Sequence, residues 1–150
     1  PFRDFLTAGN KIAIIRAPWV LGAGSWFPVM YLAPKHIPIL KDGTQWMSIL
    51  SVDDLADYVW ALVETPEAGV LHPTLTFRCR QKEFAKIVHL VTSRPLRKIG
   101  ALGRRKMELQ MRESILASIK LDDGRNDCSE NQESEKKLRT LIEDIHSGFP

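Results

Sequence analysis

Cysteine is scarce in this sequence, histidine is scattered, and long hydrophobic runs are missing. The two cysteines, Cys79 and Cys128, lie far apart and form no CxxC motif, which predicts neither a disulfide framework nor a metal site. The four histidines form no HxxxH pair. No apolar run approaches the ~20 residues that span a bilayer, and no signal peptide is visible. We therefore expect a cytoplasmic protein without metal ligands and without membrane contact.

Excess charge of one sign is also scarce. The 150 residues carry a formal net charge of +3. Basic residues outnumber acidic ones only in the second half, by sixteen to eleven over residues 76–150, and the two signs are interspersed there. No basic motif is interleaved with aromatic residues, so the pattern favours a solvated helical surface over a nucleic-acid interface. With 44% hydrophobic residues, the chain can bury the core of one globular domain.

The chain begins at Pro1 without a methionine, and its first residues are typical of the end of a helix. Apolar residues recur there at helical spacing, and Gly9 and Asn10 supply a C-terminal stop. We therefore expect residues 1–8 to be helical and the chain to be a fragment of a longer protein.

The stretch 11–25 holds the clearest candidate site. Four consecutive apolar residues predict a strand over 11–16 that is buried on both faces, as in a parallel sheet. Pro18 has no N–H to donate, so regular pairing should stop near it, and a small glycine turn follows at 22–25. Arg16, a large aromatic residue and this turn thus meet where a buried strand ends. Ligands of open α/β sheets bind at that end of the strands.

Helices and strands alternate through the rest of the chain, which predicts an α/β fold with a partly parallel sheet. The predicted helices lie within or over residues 26–32, 52–64, 80–92, 103–120 and 135–146. The predicted strands or extended segments lie at residues 37–40, 45–50, 69–77 and 93–102. Few strands leave a sheet edge uncovered, so we expect another part of the protein or a second copy to cover it, and a homodimer in solution.

Capping residues set the start of the helix that follows Ser51. The Ser51 hydroxyl can accept a hydrogen bond from the third helical residue, and Asp53 and Asp54 complement the positive helix end. Acid–base chemistry is the alternative use of these two carboxylates, but capping accounts for both. The apolar spacing of this helix predicts one buried face, made by Leu55, Val59, Leu62 and Val63.

Three segments, at residues 14–24, 46–56 and 69–84, resemble the NAD-dependent epimerase/dehydratase family of extended short-chain dehydrogenases/reductases. Residues 14–24, IIRAPWVLGAG, are similar to the family's strand-end motif (L/I)RPxxVYGPG. Residues 46–56, WMSILSVDDLA, are similar to its IhVdDla segment, where a strand leads into a helix beside the substrate. Residues 69–84 resemble its G…N…T..E unit, in which Glu83 stands for the acidic residue.

The resemblance implies the C-terminal, substrate-side part of a Rossmann-like fold over residues 1–102, followed by a helical extension over residues 103–150. It also implies NAD or NADP in the parent protein and a small-molecule substrate. The carboxamide end of the cofactor would contact Ala17 and Pro18. The substrate would contact Arg16, Trp19, Val20 and Gly22.

Two signatures of the family are absent from the sequence, namely the GxxGxxG cofactor fingerprint and the catalytic YxxxK pair. Tyr31 and Lys35 have the spacing, but Pro34 breaks the helical geometry that the pair needs. The chain by itself is therefore expected neither to bind the dinucleotide nor to transfer a hydride, and a missing N-terminal half would supply both sites. Trp19 stands where sugar-nucleotide epimerases often have an asparagine on the substrate diphosphate, which argues against an ordinary nucleotide-sugar substrate.

Several residues keep two interpretations. Arg16 either contacts a phosphate of substrate or cofactor or forms an ion pair with Asp53 or Asp54. Trp19 is either a pocket wall or a core residue, and the glycines at 22 and 24 favour a tight turn over a phosphate loop. For the whole protein, the alternative to an enzyme is a non-catalytic regulator or scaffold that binds NAD(P). A basic module in the C-terminal helices that binds nucleic acid or another partner is a third hypothesis.

Overall fold

The computed structural model of this chain describes residues 12–74, 77–100 and 132–149, together with residues 103, 113, 117, 118 and 120. The predicted helix over 1–8 lies outside the described residues, as do most of the predicted helix over 103–120 and nearly all of the polar segment 122–133.

Seven short strands are described, and they pair in three small sheets. They are β1 (Ala13–Ile15), β2 (Trp19–Leu21), β3 (Ile37–Leu40), β4 (Trp46–Ser51), β5 (Gly69–Leu71), β6 (Phe77–Arg80) and β7 (Leu96–Ile99). Strand β1 pairs in parallel with β5, β3 pairs in parallel with β7, and β4 lies between a parallel β2 and an antiparallel β6. The predicted α/β fold with partly parallel pairing is confirmed.

Within the described residues, three α-helices and one short π-helical segment accompany these strands. The segment spans Pro28–Leu32, and the helices are α1 (Val52–Glu64), α2 (Gln81–Thr92) and α3 (Gln132–Ser147). Helix α1 begins where the sequence predicts, because the Ser51 hydroxyl accepts a 3.0 Å hydrogen bond from the Asp54 N–H. Helix α2 begins with a comparable contact, in which the Glu83 carboxylate accepts from the Arg80 N–H at 2.8 Å.

One hydrophobic core joins β2, β3, β4 and β6 to α2, α3 and the π-helical segment. Its largest fully buried apolar or aromatic side chains are those of Tyr31, Phe27, Phe84, Leu21, Leu32, Ile37, Leu40, Ile49, Leu138 and Ile142. Helix α3 contributes Leu138, Ile142 and Ile145 to the same cluster. The boundary at residue 103 between two regions stays a prediction.

Strand β1 is not buried on both faces, so this prediction was wrong. Ile14 is 41% exposed, and Val70, its register partner on β5, is 48% exposed. The apolar run does favour extended backbone, but among the described residues β1 has no strand partner other than β5. A parallel pair of three residues each has too little surface to bury its own side chains.

Helix α1 also departs from its predicted burial. None of its side chains is fully buried, and Val59 and Val63 are 41% and 65% exposed. The apolar residues do recur at helical spacing. Only one edge of that stripe, including Leu55 and Leu62, is half-buried. No described helix is long and apolar enough to cross a membrane.

Candidate functional site

The segment that follows β1 opens into an apolar groove of about 550 Å³. Four of the six predicted site residues line it, and they share the groove with a serine, a second tryptophan and an alanine from later in the chain. The lining residues are Ala17, Pro18, Trp19, Val20, Ser25, Trp26 and Ala117. The groove therefore lies where the sequence places the candidate site.

Backbone hydrogen bonding explains why the chain opens here. The Arg16 N–H still donates to the Leu71 carbonyl at 3.0 Å, so pairing with β5 continues one residue beyond β1. Pro18 then has no N–H to give, and the chain leaves β5. Pairing with β5 stops next to Pro18, as predicted. Strand pairing then resumes at Trp19, with β4 as the new partner. The proline thus marks the change from one sheet to another.

A tight turn over residues 22–25 brings Ser25 to the groove. The Ser25 hydroxyl donates to the Gly22 carbonyl at 2.8 Å and accepts from the N–H groups of Gly22 and Phe27 at 3.2 and 3.3 Å. A Cβ at Gly22 would lie 3.0 Å from a methyl carbon of Val52, so glycine lets the turn approach the start of α1. Gly22 is buried and does not line the groove, and its predicted contact with a substrate stays a prediction.

Trp19 and Trp26 form the aromatic corner of the groove. Their ring centroids are 4.8 Å apart and their planes make an angle of 69°, an edge-to-face contact. Both indole nitrogens are buried and have no hydrogen-bond partner among the described residues. Trp19 is half-buried and packs against the core, so it is at once a wall of the groove and a flank of the core. Trp26 is a wall residue that the sequence analysis did not single out.

A buried polar network supports this corner from behind. Tyr31 packs on Trp26 with centroids 6.0 Å apart, and its hydroxyl accepts a 2.9 Å hydrogen bond from the Gln81 amide. The same amide donates to the Pro38 carbonyl at 2.8 Å, and its oxygen accepts from the Leu40 N–H at 3.3 Å. Gln81 therefore joins α2 to the π-helical segment and to β3.

Tyr31 is a core residue and not an acid–base group. Its side chain is 1% exposed, and burial raises the pKa of the phenol far above its ordinary value, against the lowering effect of the hydrogen bond from Gln81. Lys35 is exposed. The interpretation of the Tyr31 and Lys35 spacing as a coincidence agrees with this placement.

Arg16 does not line the groove. Its side chain is exposed, and within the described residues it forms no ion pair with Asp53 or Asp54. The two aspartates lie at the start of α1, where they line a separate depression of about 460 Å³ together with Lys136, Lys137 and other residues of α3. Arg16 directly precedes the lining residue Ala17 in the chain, whereas Asp53 and Asp54 line the separate depression.

Contacts of Trp46 attach Ser118 and Lys120 to β4. The Trp46 ring has the Arg80 guanidinium carbon 3.8 Å from its centroid and the Lys120 Nζ at 4.5 Å. The backbone N–H of Trp46 donates to the Ser118 hydroxyl at 3.0 Å. This attachment carries the neighbouring Ala117 to the groove. Nothing in the local sequence predicts it, because the partners lie 34 or more residues apart along the chain.

No three His, Cys, Asp or Glu side chains come together as a metal site in the part of the chain that the structure describes. Cys79 is buried in the core. The groove itself has no titratable lining residue within the same described ranges. Its chemistry is therefore that of an apolar surface with hydrogen-bonding edges.

Solved structures with a similar fold are sugar-nucleotide enzymes. A dTDP-4-dehydrorhamnose reductase from Clostridium acetobutylicum has a TM-score of 0.58 at 20% identity, over 95% of this chain and 52% of that chain. A UDP-N-acetylglucosamine 4-epimerase from Methanobrevibacter ruminantium has a TM-score of 0.62 at 17% identity, over 98% and 50% of the two chains. A dTDP-glucose 4,6-dehydratase from Streptomyces venezuelae, solved with NAD bound, has a TM-score of 0.58 at 14% identity, over 97% and 47%.

These similarities establish the fold. The predicted Rossmann-like α/β architecture is confirmed, and this chain spans about half the length of the proteins it matches. No protein-family model matches the sequence, and no curated protein matches it.

Proposed function

We propose that this chain is the substrate-side half of an NAD(P)-dependent oxidoreductase of the epimerase, dehydratase or reductase kind. The observation that carries the proposal is the position of the groove, which opens where β1 ends in a fold similar to that of NAD- and NADP-bound enzymes. Ala17 and Pro18 would contact the ring end of the cofactor, since small apolar residues let a flat ring approach the backbone.

The groove fits the ring of a dinucleotide but not its phosphates. Phosphate binding needs cationic side chains or a cluster of backbone N–H groups at a glycine loop, and no charged residue lines the groove in the described ranges. The phosphate-binding loop would therefore belong to the other half of the protein. So would the proton-transfer tyrosine, because Tyr31 is sealed in the core.

The surface made by β1, β5 and α1 would be the contact with that other half. Helix α1 presents an exposed stripe at positions i, i+4, i+7, i+8 and i+11, formed by Val52, Ala56, Val59, Trp60 and Val63. Trp60 and Val63 are 64% and 65% exposed. A parallel sheet is normally covered on both faces and extended at its edges. A polypeptide that adds a parallel strand beside β1 and packs on this stripe would meet both needs.

The test is cofactor binding by a protein that carries a dinucleotide-binding half ahead of residue 1. We expect NADH or NADPH to bind that protein with micromolar affinity in a calorimetric titration. Replacing Ala17 with tryptophan should fill part of the groove, because the indole would occupy space that the cofactor ring needs. We expect it to weaken binding by about tenfold, which corresponds to ~1.4 kcal/mol. Leu90→Trp on the exposed side of α2 is the matched control. Absence of binding by the extended protein would contradict the proposal.

A non-catalytic NAD(P)-binding regulator or scaffold is the second candidate. The observation that favours it is the groove itself, which has no acid–base side chain among the described residues. The two candidates separate in one assay on the extended protein. An enzyme needs a tyrosine and lysine pair in the other half and oxidises or reduces a substrate, whereas a scaffold binds the cofactor without consuming it.

A further inference from the structure

We propose that the part of the groove walled by Trp19, Val20 and Trp26 binds an uncharged aromatic ring that carries a carbonyl or hydroxyl group, and not a phosphorylated sugar. The reaction at that group depends on the function proposed above, but the choice of ligand rests on the groove lining alone. Three features of the lining lead to this ligand, namely its charge, its aromatic corner and its unpartnered donors.

The first feature is the absence of charge. All seven lining residues are uncharged, and within the described residues Arg16, the nearest cation in sequence, does not belong to them. Ser25 contributes little polarity, because its hydroxyl already makes three hydrogen bonds within its own turn. A diphosphate in this groove would lose water without gaining a cation or a fork of N–H donors, which is costly for a charged group. An uncharged ring loses only the water that apolar surfaces readily give up.

The second feature is the geometry of the aromatic corner. Trp19 and Trp26 meet edge to face at 4.8 Å, so the groove presents two indole surfaces at a steep angle. A flat ring laid in such a corner stacks on one indole and meets the other with its edge, and aromatic pairs prefer these two arrangements. The groove volume of about 550 Å³ also lies within the range of pockets for small organic ligands.

The third feature is the pair of buried indole N–H groups. Neither Trp19 nor Trp26 has a hydrogen-bond partner for its nitrogen among the described residues. A buried donor without an acceptor is unfavourable, so an oxygen on the ligand that reaches either nitrogen gains a hydrogen bond. Both nitrogens are closed to solvent, and a small turn of the indole is therefore part of binding. A carbonyl or hydroxyl oxygen supplies the acceptor and is also the group on which an oxidoreductase acts.

The experiment follows the four indole N–H signals of the 150-residue chain by NMR during titration with acetophenone and, separately, with dTDP-glucose. Acetophenone should shift the signals of Trp19 and Trp26 and leave the other two unchanged. Trp46 contacts Arg80 and Lys120, and Trp60 donates to Glu64 at 3.0 Å, so both are internal controls. Trp19→Phe and Trp26→Phe assign the signals. Dinucleotide is absent from the titration, so its outcome is independent of the cofactor test described above.

A matched pair of charge substitutions locates the ligand. Ala17 is exposed, lines the groove and lies outside the strands, so Ala17→Glu adds a carboxylate to the lining without removing a core contact. We expect it to weaken acetophenone binding at least fivefold. Leu90→Glu makes a comparable change on α2, at a residue that is 59% exposed, and should leave binding unchanged. Shifts at Trp19 and Trp26 caused by dTDP-glucose, no shift with acetophenone, or equal binding by Ala17→Glu would each overturn the proposal.

Discussion

Replacing Gln81 with methionine should destabilise the protein and disturb the groove at the same time. The Gln81 amide is 1% exposed and makes three hydrogen bonds, to the Tyr31 hydroxyl, the Pro38 carbonyl and the Leu40 N–H. Methionine has a similar side-chain volume but cannot form these hydrogen bonds. The Tyr31 hydroxyl, the Pro38 carbonyl and the Leu40 N–H therefore each lose a partner. Each unsatisfied group costs ~1–3 kcal/mol, and the 3.3 Å contact to Leu40 is weak. The low end of that range gives a loss of about 3 kcal/mol in the free energy of unfolding.

Urea unfolding followed by tryptophan fluorescence measures this loss. Gln132→Met at the exposed start of α3 is the matched control and should change the free energy of unfolding by less than about 0.5 kcal/mol. Near-ultraviolet circular dichroism should also change in Gln81→Met, because Tyr31 packs on Trp26 with centroids 6.0 Å apart. A loss below about 1 kcal/mol would refute the reasoning, since such a value corresponds to one ordinary hydrogen bond.

Three further predictions concern a helix cap, a carboxylate and the exposed stripe. Ser51→Ala removes the 3.0 Å cap on the Asp54 N–H and should lower the free energy of unfolding by ~1 kcal/mol, as measured in urea. The hydroxyl and N–H of Thr44 donate to Asp42 and lower the pKa of its carboxyl, so its stabilising effect should be present above the unfolded pKa and disappear as pH falls through the folded one. An NMR titration should show this depressed pKa, and Thr44→Val should raise it. Trp60→Glu should change urea stability by less than about 0.5 kcal/mol but abolish association with the other half or a second copy in light scattering.

Local signals in the sequence predict local structure well in this chain. The Ser51 cap, the turn at residues 22–25 and the strand over residues 45–50 depend on neighbouring residues, and each occurs close to where the sequence places it. The groove position was also predictable, because a strand end followed by proline and a glycine turn is a local pattern.

Burial was less predictable than secondary structure. The apolar stripe of α1 and the apolar run of β1 have the periodicity of buried elements, but periodicity does not say whether the covering partner lies in the same chain. Val63 and Ile14 are exposed because, among the described residues, no element packs over them. The same spacing in a longer polypeptide would accompany full burial.

Long-range contacts around the site were not predictable at all. Gln81 donates a hydrogen bond to Tyr31, which lies 50 residues earlier in the chain. Trp46 makes cation–π contacts with Arg80 and Lys120, which come from distant segments. Gln81 is the first residue of α2, where a polar side chain is common, so the sequence does not indicate that it is buried. Trp26 could have been recognised as a wall residue, since it directly follows the turn at residues 22–25.

The most direct test of the account is a titration of the 150-residue chain alone with NADH and NADPH, followed by the fluorescence of its four tryptophans. We propose that the dinucleotide phosphates bind another part of the protein, so we expect no saturable binding to this chain. Saturable binding at micromolar concentration would contradict it, because the chain would then carry a dinucleotide site of its own.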